Sequence, residues 1–187
     1  LVQKSITEGS LALLIFCGLL GDQVSQETDP LKKGELEALL DLLIPIAKSY
    51  PSEMGLQSTS MAIQVLGGAG YTTDFPVEQY YREARIHPIH EGTTGIHGLD
   101  LLGRKLLIHE GLGWKMLQKE LETTIREAKN LPDLADLTHA FEKYCKRFTE
   151  GAAQLLFKRN QGPDYFLADA TLFLEGAGIL CMGWMWL

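Results

Sequence analysis

Apolar residues recur at helical spacing along most of the chain, and alternation of apolar and polar residues never extends beyond four positions. The clearest repeat places five apolar residues at i, i+3, i+4, i+7 and i+11, which is one face of a helix: Leu36, Leu39, Leu40, Leu43 and Ala47. A half-buried strand requires a sustained two-residue alternation instead. The sequence therefore predicts an all-α fold.

Glycine and proline residues divide this helical pattern into segments. Thr28 to Gly34 is predicted to be a loop, Gly67 to Gly70 ends the second helix, and Arg85 to Gly92 forms another loop. The predicted helices cover residues 1–27, 35–66 with a kink at Pro45, 76–84, 93–130, 133–159 and 165–187. The first helix is apolar almost all round in its middle, so we expect it to be covered on several sides.

The charge balance and the cysteines exclude several classes of site. The 187 residues carry a formal net charge of −7, and residues 1–92 hold 6 basic and 12 acidic side chains. Because neither half of the chain is basic, wrapping of nucleic acid is not expected. Cys17, Cys145 and Cys181 are odd in number and form no CxxC pair, so no disulfide framework or zinc site is indicated and a reducing, cytoplasmic compartment is favoured.

Two apolar stretches are too short or too polar for a membrane span. Leu11 to Leu20 is an unbroken apolar run of ten residues, whereas a transmembrane helix needs about 20. Leu172 to Leu187 is also short and contains Glu175. We expect buried helices at both places and no membrane span.

Three linked motifs lie between residues 64 and 93. They read QVLGGAGY at residues 64–71, VEQYYREARI at residues 77–86 and IHEGT at residues 89–93. In this order and spacing they resemble the C-terminal helical domain of the acyl-CoA dehydrogenase family. The resemblance implies an up-down four-helix-type bundle over residues 1–112. Residues 113–187 resemble the additional C-terminal helical segment of longer bacterial members.

The resemblance also implies a reaction. Members of the family use FAD to oxidise an acyl-CoA to the trans-2-enoyl-CoA, with a base on one side of the substrate and the flavin on the other. By this resemblance Glu91 is the base that removes the α-proton, and FAD accepts hydride from the β-carbon. The backbone N–H of Glu91 is expected to donate to the thioester oxygen, and Gly92 to let the loop approach the substrate closely.

The same resemblance assigns cofactor contacts and partners. Gln64, Gly67 and Gly68 are expected to contact the FAD of a neighbouring subunit, which implies a homo-oligomer. Thr93 is expected to contact the flavin and to cap the helix that follows it. Electrons are expected to pass to an electron-transfer flavoprotein.

Two positions depart from the family pattern. His90 stands where many members have Tyr or Phe, which places a more polar, titratable ring beside the proposed base. Gly95 stands where many members have a Gln that reaches the adenine side of the flavin, so this chain lacks that side chain. The basic pair Arg104-Lys105 is expected on a solvated face rather than against the phosphates of CoA.

Alternative functions remain open. A flavin-dependent acyl-CoA oxidase would use the same residues and differ in its use of O₂, whereas a non-catalytic helical interaction module would have no need of Glu91. The spacing of His87, His90 and His97 is not that of a zinc-binding motif, so no metal site is expected.

The ends of the chain suggest a piece of a longer protein. The chain begins at Leu1 within a helical pattern and without an initiator methionine, and it ends in the apolar residues Trp184 to Leu187. Members of the family also contain an N-terminal helical domain and a middle β-domain. We therefore expect the chain alone to bind FAD weakly or not at all, to have no turnover, and to self-associate through exposed apolar faces.

Overall fold

A computed structural model describes residues 1–187 and shows a chain that is 85% helical and has no strand. Nine α-helices follow one another: α1 (Val2–Gln26), α2 (Pro30–Leu66), α3 (Gly68–Tyr71), α4 (Val77–Ala84), α5 (Thr94–Asp100), α6 (Leu112–Ala128), α7 (Ala135–Lys158), α8 (Pro163–Leu167) and α9 (Ala170–Trp186). A π-helical turn, Leu101–Lys105, continues α5. The all-α prediction is confirmed.

The second helix begins earlier than the sequence predicted. The loop expected up to Gly34 is wrong, because α2 begins at Pro30. Asp29 caps it, since its carboxylate accepts a hydrogen bond of 2.9 Å from the N–H of Leu31. Proline suits the first helical position, where its missing N–H would have no partner. The helix then continues through Pro45 and Pro51 to Leu66.

The long helix expected from Thr93 to about residue 130 is also wrong. The chain turns at a 3₁₀ segment, Ile108–Gly111, where His109, Glu110 and Gly111 have φ of 50°, 54° and 73°. This break directs α6 back along α2. The two helices approach so closely that a Cβ atom on Gly113 would lie 2.4 Å from the carbonyl oxygen of Ala38. The break therefore serves a helix–helix contact that only glycine permits.

The first helix is covered on one side rather than on several. It packs on α2 and α9 and buries Leu13 and Leu20. Its other face leaves large apolar side chains about half exposed: Leu11, Leu14, Ile15 and Leu19. The expectation that α1 is covered on several sides is wrong for these residues, and they form an apolar surface of the kind that proteins cover with another protein surface.

One buried cluster joins the N-terminal and C-terminal parts of the chain. It combines residues of α1 and α2, such as Leu13 and Leu43, with residues of α9, such as Leu174 and Cys181. Helix α9 packs on α1, α2 and α5. The predicted division at residue 112 stays a prediction, and the two parts share one core.

The basic pair after α5 is not fully solvated. The Lys105 side chain is only 8% exposed, and its Nζ lies 2.6 Å from the Asp41 carboxylate of α2. Arg104 is exposed and pairs with Asp100 on the same helical face. The expectation of a solvated face is therefore wrong for Lys105, which ties the π-helical turn to α2.

Two helical segments have the length and composition of a membrane span, Val2–Gln26 and Pro163–Trp186. Half of the apolar window in the second is buried within the protein, and 22% in the first. The core helix of a globular protein meets the same criteria, so two such segments are weak evidence for a membrane span. The absence of a membrane span stays a prediction.

Candidate functional site

The glycine turn forms an open corner at the end of α2. Gly67 has φ of +61°, a left-handed conformation that favours glycine, and it ends the helix after Leu66. A Cβ atom on Gly67 or Gly68 would meet nothing within 4 Å. Gln64, on the last turn of α2, is also exposed. The structure thus brings these three predicted cofactor residues together on one accessible corner.

The predicted short helix after Pro76 is present, but less of it is buried than the sequence suggested. Val77 is its one buried residue, whereas the apolar rings of Tyr80 and Tyr81 are exposed. Helix α4 packs on α2 and leads into the loop that carries Glu91. It therefore connects the glycine corner to the second part of the candidate site.

The loop after α4 is a series of tight turns. The N–H groups of Ile89 and His90 both bond to the carbonyl of Ile86, at 2.9 and 3.1 Å. The His90 ring also faces this backbone, since its Nδ1 donates to the same Ile86 oxygen at 2.9 Å. In this structure, the side chain that departs from the family pattern is tied to its own loop.

Glu91 has an unusual backbone conformation. It has φ of 54°, and Gly92 follows with φ of 96°. A residue with a Cβ atom adopts this left-handed region at a cost of about 1–2 kcal/mol. Such strain persists where surrounding contacts hold it, and these places are often functional. The Glu91 side chain is exposed, so its carboxylate is accessible to a partner molecule.

Thr93 caps the helix that follows the loop, as predicted. Its Oγ1 accepts a hydrogen bond from the N–H of Ile96 at 3.4 Å. The next residue, Thr94, donates from Oγ1 to the Glu53 carboxylate of α2 at 2.6 Å. The loop therefore ends at a fixed helix start, two residues after Glu91.

Two side chains outside the motifs hold the loop backbone. Lys48 of α2 donates from Nζ to the carbonyl of His87 at 2.9 Å and to the carbonyl of Gly92 at 2.6 Å. His97 of α5 donates from Nε2 to the carbonyl of Glu91 at 3.1 Å. Sequence reasoning missed the roles of Lys48 and His97.

Gly92 is closely confined by this arrangement. A Cβ atom there would lie 2.8 Å from His97 Nε2. The sequence predicts that Gly92 lets the loop approach a substrate closely. In the structure, the absence of a side chain on Gly92 leaves room for the His97 ring. The fold itself therefore favours glycine here, with or without a bound substrate.

The three histidines do not converge. The rings of His87 and His90 have centroids 5.6 Å apart, whereas the His97 ring bonds to the Glu91 carbonyl. The structure contains no group of three or more His, Cys, Asp or Glu side chains placed to hold a metal ion.

A cavity of about 170 Å³ lies behind the start of α5, between α2 and α9. Glu53, Thr94 and Glu175 are among its lining residues. Burial raises the pKa of the Tyr50 hydroxyl in its wall, and the negative charge of Glu175 raises it further. The buried Ser49 Oγ beside it has no hydrogen-bond partner. Of these polar groups, Glu53 is the one that bonds to the start of α5, through Thr94.

Exposed apolar side chains surround the glycine corner and the Glu91 loop. Val65 and Tyr71 are 81% and 84% exposed, and Ile86, Ile89 and Ile96 are about half exposed. Single exposed apolar residues are common, but a cluster of this kind marks a surface that another molecule covers. The candidate site therefore lies among exposed apolar side chains.

Comparisons with known proteins point to one family. A family model described as "Acyl-CoA dehydrogenase, C-terminal domain" matches residues 28–107, which include all three motifs. A second, described as "Acetyl-CoA dehydrogenase C-terminal like", matches residues 117–187.

Individual relatives agree with these matches. The chain is 31% identical over 182 residues to the 3-methylmercaptopropionyl-CoA dehydrogenase of Ruegeria pomeroyi, covering 97% of this chain and 31% of that protein. It is 26% identical over 200 residues to the broad-specificity linear acyl-CoA dehydrogenase FadE5 of Mycobacterium tuberculosis, covering 99% of this chain and 31% of that protein. The chain thus spans about a third of the length of these curated relatives.

A solved structure shows the same fold. The crystal structure of Caenorhabditis elegans ACDH-11 in complex with C11-CoA matches with a TM-score of 0.73 at 22% sequence identity. The match covers 97% of this chain and 31% of that chain.

Proposed function

Because the chain belongs to the acyl-CoA dehydrogenase family, we propose that it supplies the catalytic base of an FAD-dependent enzyme that oxidises acyl-CoA to trans-2-enoyl-CoA. The observation that carries this proposal is the conformation of Glu91. Its carboxylate is exposed, while Lys48 holds the strained loop by hydrogen bonds to carbonyls before and after Glu91, and His97 holds the carbonyl of Glu91 itself. A solvated surface acid requires no such support.

Glu91 has two roles in the proposed reaction. Its carboxylate takes the proton from the α-carbon of the acyl-CoA, and its backbone N–H donates to the thioester oxygen, where negative charge develops. Gly92 keeps the loop surface free of a side chain at the substrate. The bound FAD supplies the acceptor for the β-hydride.

The glycine corner fits a dinucleotide. The Gln64 amide is exposed, and the open backbone at Gly67 and Gly68 admits close approach of a phosphate or sugar. We assign these residues to the FAD of a neighbouring subunit in a homo-oligomer and Thr93 to contact with the flavin. The proposal further includes an electron-transfer flavoprotein as acceptor and a cytoplasmic location.

The 187-residue chain by itself is proposed to lack turnover. Its assigned base and cofactor residues lie on an exposed, partly apolar surface rather than in an enclosed pocket. Catalysis of this kind needs water excluded and the substrate fixed, and such sites are concave. We therefore expect weak or no FAD binding and self-association of the isolated chain.

The test replaces Glu91 by Gln in the protein expressed from its complete reading frame. Turnover with acyl-CoA should fall by about 10²–10⁴-fold, the usual contribution of a positioned base, while the flavin stays bound. Glu110→Gln is the matched control, because Glu110 is also an exposed glutamate with φ of 54°. It should retain full activity.

The outcomes separate the candidate functions. Turnover retained by Glu91→Gln would contradict the proposed base. A full-length protein that is colourless and has no affinity for flavin would favour a non-catalytic interaction module. Consumption of O₂ as the efficient acceptor would identify an oxidase instead of a dehydrogenase.

A further inference from the structure

Lys48 joins the two ends of the loop that carries Glu91. Its Nζ donates to the carbonyls of His87 and Gly92, which lie before and after Glu91 in the chain. The lysine itself is on α2, 44 residues before Gly92. One ammonium group therefore fixes the loop to the longest helix of the fold.

The ammonium group of Lys48 is committed to backbone carbonyls. The five ion pairs of the structure involve other cations, so no carboxylate lies within 4.0 Å of its Nζ. The side chain is half-buried. A lysine that serves only solubility extends into water, whereas two of the three donors of Lys48 point at this loop.

The contact acts on the strained residue through its neighbours. Glu91 is in the left-handed region, and the two carbonyls that follow its Cα atom are both held, the Glu91 carbonyl by His97 and the Gly92 carbonyl by Lys48. These bonds restrict rotation about Glu91. They therefore hold the backbone from which its carboxylate projects.

We propose that Lys48 is a positioning residue that holds the loop so that Glu91 faces the α-carbon and the thioester oxygen of the substrate. This inference rests on the proposed function. Lys48 touches no reacting atom and acts only through the backbone of residues 87–92. Because misplacement of a reacting group by about 1 Å can lower a rate 10²-fold, the loss of this contact should affect proton abstraction most.

The experiment measures proton abstraction alone. The protein from the complete reading frame is purified with its flavin, the flavin is reduced anaerobically, and exchange of the acyl-CoA α-proton with D₂O is followed by NMR. Lys48→Met, which keeps the length of the side chain but removes the donors, should lower the exchange rate about 10²-fold. Flavin content and substrate KM should change less than threefold, because the glycine corner is left intact.

Two further variants separate positioning from general structural damage. Lys48→Arg keeps the charge and several donors, so it should restore exchange to within about tenfold of the wild-type rate. Lys32→Met is the matched control, because Lys32 is an exposed lysine of the same helix and makes no ion pair or side-chain hydrogen bond. It should exchange at the wild-type rate. If Lys48→Met does not fold, Lys48→Leu, which also lacks donors, is measured with the same expectation.

The outcomes distinguish this inference from the function on which it rests. Wild-type exchange in Lys48→Met, together with lost exchange in Glu91→Gln, would overturn the role of Lys48 and leave the base intact. Wild-type exchange in Glu91→Gln would overturn both. Equal losses in Lys48→Met and Lys48→Arg would also overturn positioning by these hydrogen bonds, since the arginine keeps donors.

Discussion

Replacement of Gly92 by alanine should destabilise the Glu91 loop for two separate reasons. The first is backbone strain, because Gly92 has φ of 96° and the left-handed region costs a residue with a Cβ atom about 1–2 kcal/mol. The second is a contact, because the new Cβ atom would lie 2.8 Å from His97 Nε2. The ring must move, which breaks its bond to the Glu91 carbonyl and costs about 1 kcal/mol more.

Local amide hydrogen exchange measures this change directly. The combined cost of about 2–3 kcal/mol corresponds to roughly 30- to 150-fold faster opening of the loop. The His97 amide is a suitable reporter, since it bonds to the Thr93 carbonyl at 3.0 Å in the first turn of α5. Exchange in the part of α2 before Lys48 should stay unchanged, because Lys48 is the first residue of this helix that bonds to the loop.

A double-mutant cycle tests the two reasons separately. In a His97→Ala background the ring is absent, so Gly92→Ala should cost only the backbone strain, and the cycle should give a coupling of about 1 kcal/mol. The same cost for Gly92→Ala in both backgrounds would refute the assigned contact with His97. Unchanged loop exchange combined with lost substrate binding would show that the glycine serves the substrate alone.

Two further predictions concern the fold. Gly113→Ala should lower the free energy of unfolding by about 1–3 kcal/mol in urea titrations, since its Cβ would clash with the Ala38 carbonyl. Gly18→Ala, with open space around it, should raise the free energy of unfolding by about 0.5–1 kcal/mol in the same assay. Burial raises the pKa of the Cys17 and Cys145 thiols to about 11, so their labelling by iodoacetamide should rise about tenfold per pH unit between pH 8 and 10. A plateau below pH 10 in the mass-spectrometric time course would contradict those pKa values.

Local signals in the sequence were enough for much of the fold. Predicted helices at residues 1–27 and 133–159 agree with α1 and α7 to within two residues at each end. The prediction failed at residues 109–111, where two non-glycine residues have positive φ. That conformation follows from the packing of α6 on α2, and helical periodicity contains no information about which distant helix a segment will contact.

In the candidate site, too, local features could be predicted from the sequence and long-range contacts could not. The motif predicts Glu91 and Gly92 in a loop and Thr93 at a helix cap. Both features depend on residues that are neighbours in the chain. Lys48 and Glu53 were missed because their contacts cross 44 and 41 residues. Neither residue belongs to one of the three motifs, since both lie on α2 before residue 64. Only the packing of the loop against α2 reveals them.

The C-terminal part of the chain contributes to the placement of Glu91. Helix α5, which begins just after the loop, has seven residues and is too short to be stable by itself. On one side Thr94 bonds to Glu53 of α2. On the other side α9 packs so closely that a Cβ atom on Gly98 would lie 2.8 Å from the Ala170 carbonyl. The loop is therefore fixed at its C-terminal end by both parts of the chain, and the strained conformation of Glu91 depends on helices from each.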